Sequence, residues 1–152
     1  MQWLFVCTGN TCRSAMAVGM CRALLAEKLG CGVDELEEKG YMIRSAGTMN
    51  LQGIPASEGA TAVCAERGID LSDHRSSALS RARIEESDLV LAMTRAHREA
   101  VLALYPDDAS KCIVVSAQGD IPDPVGQPLD VFRRCADRIE RAIKQRIEEF
   151  VQ

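Results

Sequence analysis

A chain of 152 residues is the length of one domain with a sizeable core, and with aromatic residues at only 4% that core must be built from aliphatic side chains. The net charge of −4 and the dispersed basic residues exclude a general nucleic-acid binder, which needs a basic face. Seven cysteines are odd in number, irregularly spaced and mostly set inside apolar patterns, so they read as free thiols of a reducing cytoplasm rather than a disulfide framework.

Trp3 to Val6 is an apolar run too short for a helix, as expected of a strand covered on both faces of a parallel sheet. Helical spacing of Met16, Met20, Ala23 and Leu24 predicts a helix from Ser14 to about Leu29, stopped by Gly30. Cys31 to Gly40 is acidic and bounded by glycines, a surface loop or short helix. Tyr41 to Ser45 reads as the second strand, and a helix from about Ala56 to Arg67 should bury Ala60, Val63 and Cys64 before Gly68 ends it. The segment around His74 carries turn residues without a clear period. Leu89 to Met93, Arg95 to Leu104 and Ile113 to Ser116 read as strand, helix and strand, with Pro106 closing the helix between them. The last helix, Leu129 to Phe150, places Phe132, Ala136, Ile139, Ile143, Ile147 and Phe150 on one face. Alternating strands and helices predict an α/β fold, a parallel sheet with helices on both faces and right-handed crossovers. There is no internal repeat and no linker. No run of about 18 apolar residues and no basic-then-apolar leader occurs, so neither a membrane span nor a secretory signal is expected.

Chemistry concentrates in CTGNTCRS, Cys7 to Ser14, between the first strand and the first helix. A loop that curls back on itself can place the Cys7 sulfur beneath the Arg13 guanidinium, with the intervening N–H groups turned inward. Such a nest at a helix N-terminus holds a tetrahedral oxyanion, because amide dipoles, the helix dipole and a bidentate arginine all favour negative charge. Thr8, Gly9, Asn10, Thr11, Cys12, Arg13 and Ser14 are therefore the expected phosphate-binding set. The same field favours a thiolate at Cys7, and Ser14 is placed to give it a hydrogen bond. Gly9 permits close approach of the backbone, and Asn10 tolerates the left-handed region. Histidine occurs only at His74 and His97, neither beside a cysteine pair, so zinc-site spacing is absent and no metal or other cofactor is expected.

The octet, with RSAG at Arg44 to Gly47, DHRS at Asp73 to Ser76, SDLVLAMT at Ser87 to Thr94 and DP at Asp123 and Pro124, resembles the low-molecular-weight protein tyrosine phosphatases over nearly the whole chain. The resemblance implies a single domain over 1–152 with a four-stranded parallel sheet in the order 2-1-3-4. It implies hydrolysis of a phosphorylated protein through a phosphocysteine, with inorganic phosphate as product. Cys7 would be the nucleophile, Arg13 the phosphate clamp and Asp123 the general acid, its loop stiffened by Pro124. Read alone, Asp123 is equally a turn aspartate, and Asp120 is the alternative acid. Asn10, Ser14, Ser45 and His74 match the hydrogen-bonded network that supports the loop in the family. Thr94 follows the third strand, either at the back of the site or as a simple cap. Cys12 is either a redox partner that spares Cys7 from irreversible oxidation or a small packing residue.

Substrate selection falls to Thr11, Met49, Leu51 and Val125. Tyrosine-specific members tend to carry aromatics just after the DP, where this chain has Val125, Gly126 and Gln127. Members resembling protein arginine phosphatases have threonine at position 11, as here, which leaves room for a planar guanidinium. The lean is slightly towards phosphoarginine, with strict phosphotyrosine specificity as the alternative. Arsenate reductases of related type need a further cysteine pair, and none lies between Cys64 and Cys112. A non-catalytic phosphate-binding module would lack Cys7 or Asp123. A nucleotidase loop would need GK[ST] after Gly9.

Overall fold

A computed structural model describes residues 1–152. The strands are β1 Gln2–Cys7, β2 Met42–Gly47, β3 Leu89–Ala92 and β4 Cys112–Val114. All pairings are parallel, in the order β2-β1-β3-β4, as the resemblance implied. The helices are α1 Arg13–Leu29, α2 Glu58–Glu66, α3 Arg81–Glu86, α4 Arg95–Leu104 and α5 Leu129–Phe150. Single turns of 3-10 helix occupy Val33–Glu35 and follow α4 over Pro106–Lys111.

The side-chain alternation of β1 divides the interior. Trp3, Phe5 and Cys7 face the larger core, shared with Met16, Leu25, Val63, Ile139 and Ile143 from α1, α2 and α5. Leu4 and Val6 face a smaller one with Ile84, Val90 and Val101, beneath α3 and α4. Both faces of β1 are covered, which is why its sequence is continuously apolar. Cys7 ends this central strand, where the chain order reverses between β1 and β3 and the carboxyl ends of neighbouring strands leave a crevice.

Helix α1 ends in a glycine-based stop. Gly30 takes φ 67°, while Cys31 N–H donates to Ala26 O and Gly30 N–H to Glu27 O, the paired bonds that satisfy carbonyls otherwise orphaned at a helix end. At the C-terminal end of the fold, Phe150 packs edge-on against Trp3, ring centroids 6.4 Å apart. No helix is long and apolar enough to cross a membrane.

Helices α4 and α5 have the expected limits, and α1 and α2 differ from theirs by one or two residues at an end. The second expected helix begins at Glu58 because Ser57 caps it, its hydroxyl accepting Ala60 N–H at 3.3 Å. The one α-helix without an expectation is α3. It is six residues long and buries only Ile84, too short to show a helical period.

Candidate active site

The loop between β1 and α1 is held by a chain of hydrogen bonds whose direction is fixed. Asn10 adopts φ 58° and is 1% exposed. Its Oδ1 accepts Ser77 N–H at 3.0 Å, so its Nδ2 is the end that donates to Ser14 Oγ, at 2.7 Å. The Ser14 hydrogen is thereby left for the Cys7 sulfur, 2.9 Å away. The Asn10 carbonyl accepts from His74 Nε2 at 2.6 Å. Burial lowers the His74 pKa, opposed by the hydrogen bond to the Asn10 carbonyl and helped by the smaller effects of the Arg22 and Arg75 charges; the neutral ring then carries its proton on Nε2, facing a carbonyl that can only accept.

Arg13 is 4% exposed. Its Nη1 donates to Ile121 O at 2.9 Å, and its Nη2 reaches Thr8 Oγ1 at 3.3 Å and Asp123 Oδ2 at 3.4 Å. Its Nε is buried without any partner. Such a donor costs about 1–3 kcal/mol, and the fork formed by Nε and Nη2 suits two oxygens of one tetrahedral anion. None of the backbone N–H groups from Thr8 to Ala15 donates to a protein carbonyl. Helix α1 begins without a side-chain cap, so its end adds to a site for negative charge.

Two further segments complete the rim. Thr48 N–H donates to Cys7 O and Met49 N–H to Thr8 O, both at 2.9 Å, so the chain beyond β2 runs along the loop. A Cβ placed on Gly9 would lie 3.6 Å from Thr11 Oγ1 and 3.8 Å from Leu51 Cδ1, so both selection residues border Gly9. Met49 and Val125 are exposed. Asp123 is 40% exposed, and its Oδ1 accepts Val125 N–H at 3.1 Å. Asp120, the alternative acid, instead has Oδ1 on Arg95 N–H at 2.8 Å, at the start of α4.

Ser45 meets the network through its backbone carbonyl, which accepts from Ser77 Oγ at 3.2 Å; it is Ser77, whose N–H donates to Asn10 Oδ1, that links the two. Ser45 lies within β2, paired with Phe5, and the loop following His74 brings Ser77 closer. Ser57 also escaped the sequence reading. Its N–H donates to Thr11 O at 2.9 Å, and its hydroxyl accepts from Cys12 Sγ at 3.1 Å. Burial, only partly countered by that bond, raises the Cys12 pKa. His97, read only as an unsuitable zinc ligand, is buried against Thr8, with Nε2 2.8 Å from its hydroxyl. Thr94 caps α4 and also approaches the rear of the site through His97.

The family model described as low molecular weight phosphotyrosine protein phosphatase matches residues 2–152. A protein-arginine-phosphatase of Geobacillus stearothermophilus is 38% identical over 96% of this chain and 93% of its own length. The crystal structure of a low molecular weight protein tyrosine phosphatase from T. tengcongensis superposes with a TM-score of 0.86 at 38% identity, covering 99% of both chains. The arginine phosphatase YwlE, solved as a cysteine-to-serine mutant with a phosphorylated active site serine, gives 0.85 at 31% identity over 98% of this chain and 95% of that one.

Gly47 is where the loop depends most on the absence of a side chain. A Cβ there would lie 2.6 Å from Thr8 O and 3.1 Å from Asn10 N, both backbone atoms. Gly47→Ala should cost about 1–3 kcal/mol in thermal unfolding. It should also weaken inorganic phosphate binding in calorimetry; unchanged phosphate affinity would show that the loop does not rely on this approach.

Proposed function

The chain belongs to the low molecular weight phosphotyrosine protein phosphatase family and is a cysteine-dependent phosphatase, and we propose that it acts on phosphorylated proteins through Cys7, Arg13 and Asp123, favouring phosphoarginine over phosphotyrosine. The observation that carries the site assignment is the buried, unpartnered Arg13 Nε in the same loop as a cysteine whose sulfur lies 2.9 Å from a serine hydroxyl.

In this reading the Cys7 thiolate, stabilised by the Ser14 hydroxyl, attacks phosphorus in line. A P–S bond forms, the bond to the substrate oxygen or nitrogen breaks, and Asp123 supplies the proton to the departing atom. The Arg13 fork and the loop N–H groups hold the phosphoryl oxygens as charge redistributes. Water then attacks the phosphocysteine while Asp123 recovers its proton, and inorganic phosphate and the Cys7 thiolate are regenerated. The approach of Asp123 to Arg13 Nη2 supports this sequence, since a phosphate that takes the arginine fork leaves the carboxyl group next to the leaving atom. Free thiols at all seven cysteines support a reducing, cytoplasmic setting. Under peroxide, a Cys7 sulfenic acid would condense with the Cys12 thiol, forming a disulfide and releasing water.

Cys7→Ser should abolish turnover while retaining phosphate binding, because an alcohol of high pKa replaces the nucleophile; a variant with half the wild-type rate would sink the mechanism. Asp123→Asn should slow substrates with poor leaving groups by about 10²–10⁴-fold and a nitrophenyl ester far less. Equal losses on the two would remove Asp123 as the acid.

The preference for phosphoarginine rests on Thr11, half-buried and, like Leu51, bordering Gly9, and on relatives named for arginine dephosphorylation. A phosphoguanidinium branches at once into a planar fork that needs lateral space and a polar neighbour, whereas an aryl phosphate has a single narrow oxygen bridge. Thr11→Ile should lower kcat/KM on phosphoarginine peptides by about 1–3 kcal/mol and change phosphotyrosine turnover much less. Assay of both peptides on both proteins decides it: an equal loss on each would give Thr11 a role in loop integrity alone.

A further inference from the structure

His97 stands in the first turn of α4, 6% exposed, with both ring nitrogens occupied. Nδ1 lies 2.9 Å from Thr94 Oγ1 and Nε2 lies 2.8 Å from Thr8 Oγ1. Capping does not explain this, because the α4 cap is complete once the backbone N–H of His97 donates to Thr94 Oγ1, at 3.2 Å. The ring is an addition to the cap. It spans the gap from the end of β3 to the loop after β1, and the hydroxyl it meets is one to which Arg13 Nη2 donates.

We propose that His97 is a positioning residue for Arg13: anchored by Thr94, it fixes the Thr8 hydroxyl, and Thr8 in turn sets the arginine edge that receives phosphate. The proposal rests on the reading of Arg13 as the phosphate clamp.

Hydrogen bookkeeping gives the arrangement a direction. Arg13 can only donate, so the Thr8 oxygen accepts from it. With the ring proton assigned to Nδ1, that N–H donates to Thr94 and the Thr8 hydrogen goes to Nε2, which accepts. This requires a neutral ring. Burial first, and then the Arg13 charge, push the His97 pKa down to about 4 against smaller opposing effects of Asp123 and Asp120. An imidazolium would donate to the same Thr8 oxygen as Arg13 and set two cations about it. Ile121 O holds Nη1 independently, so Thr8 is the one neutral side chain that orients Nη2. Without its partner the Thr8 hydroxyl is free to rotate, and the Nε–Nη2 fork loses a fixed bearing on its anion.

The test is a set of His97 variants in the full chain, with inorganic phosphate as probe and kcat and KM measured separately. His97→Phe keeps an aromatic ring, somewhat larger than the imidazole, and removes both nitrogens. It should weaken phosphate binding and lower kcat by about 10- to 100-fold, the scale of a slightly misplaced binding group. Thr8→Val should do the same, and the double variant should lose no more than either single one. His97→Gln, whose amide reaches the Nε2 position, should recover phosphate affinity to within a few fold. His97→Asn, which reaches only the Nδ1 position, should not. Additive losses in the double variant, or Asn and Gln variants that both match wild type, would overturn the proposal. If His97→Phe does not fold, the Gln and Asn pair decides alone. The Arg13 Nε–H resonance of the ligand-free protein must also shift in the Asn variant and not in the Gln variant. That signal needs neither phosphate nor turnover, so an inactive wild type would refute the proposed function and leave this inference to its own outcome.

Discussion

A guanidinium buried at 4% exposure with one nitrogen unpartnered is the constraint to which the surrounding structure answers. Taking a charge from water without full pairing costs several kcal/mol, and the nearest carboxylate, Asp123, is partly exposed and 3.4 Å away. The protein leaves that deficit in place while holding the group still. Ile121 O, Thr8 and the loop packed beside it fix the orientation of Arg13, and the orphan N–H groups at the start of α1 add to the same positive field. The stability of the rest of the fold, two cores on either side of one sheet, must carry this local cost.

Asn10 shows how backbone and chemistry are joined. A non-glycine residue at φ 58° is mildly unfavourable, less so for asparagine than for most. The conformation lets the side chain accept from Ser77 and donate to Ser14 while the carbonyl turns to His74. Each of those bonds has one direction, so together they leave the Ser14 hydrogen for Cys7. Gly47, pressed against Thr8 O and the Asn10 amide, permits the close packing of strand end and loop that this network needs.

The features that a sequence reading reaches are those whose signal is local. CTGNTCRS sits contiguously between a strand and a helix, α4 and α5 show their faces over ten residues and more, and the DP aspartate does approach Arg13. The sheet order came from the resemblance, since periodicity does not determine which strands are neighbours. What escaped depends on contacts between distant segments. Ser45 enters the reading through the resemblance, and Ser77 becomes visible only once the loop after His74 brings its N–H to Asn10 Oδ1. His97 lies 89 positions from Thr8, in a helical turn that reads as ordinary amphipathic surface. Asp120 and Asp123 are both acidic residues in one loop, and only the placement of Arg95 N–H shows that Asp120 serves α4.

Burial separates the two tasks assigned to this site. Cys7, Asn10, Arg13 and Ser14 are all at or below 4% exposure, fixed on a strand end and a helix start, where a displacement of one would move the others. Met49 and Val125, at 50% and 59% exposed, stand on loops whose neighbours can give way. Phosphate is the same in every substrate considered, so the rigid part can be common to all of them while discrimination is left to the rim. Thr11 is the exception, since it belongs to the loop by its backbone and to the rim by its side chain. Its carbonyl is tied to Ser57 and its hydroxyl borders Gly9, as Leu51 does. A change there can alter the width of the entrance without moving the nucleophile, provided the backbone bond to Ser57 survives. Asp123 belongs with the rim by its exposure, and its proposed task agrees with that position, because a group that must protonate a departing atom and then deprotonate water needs access to both.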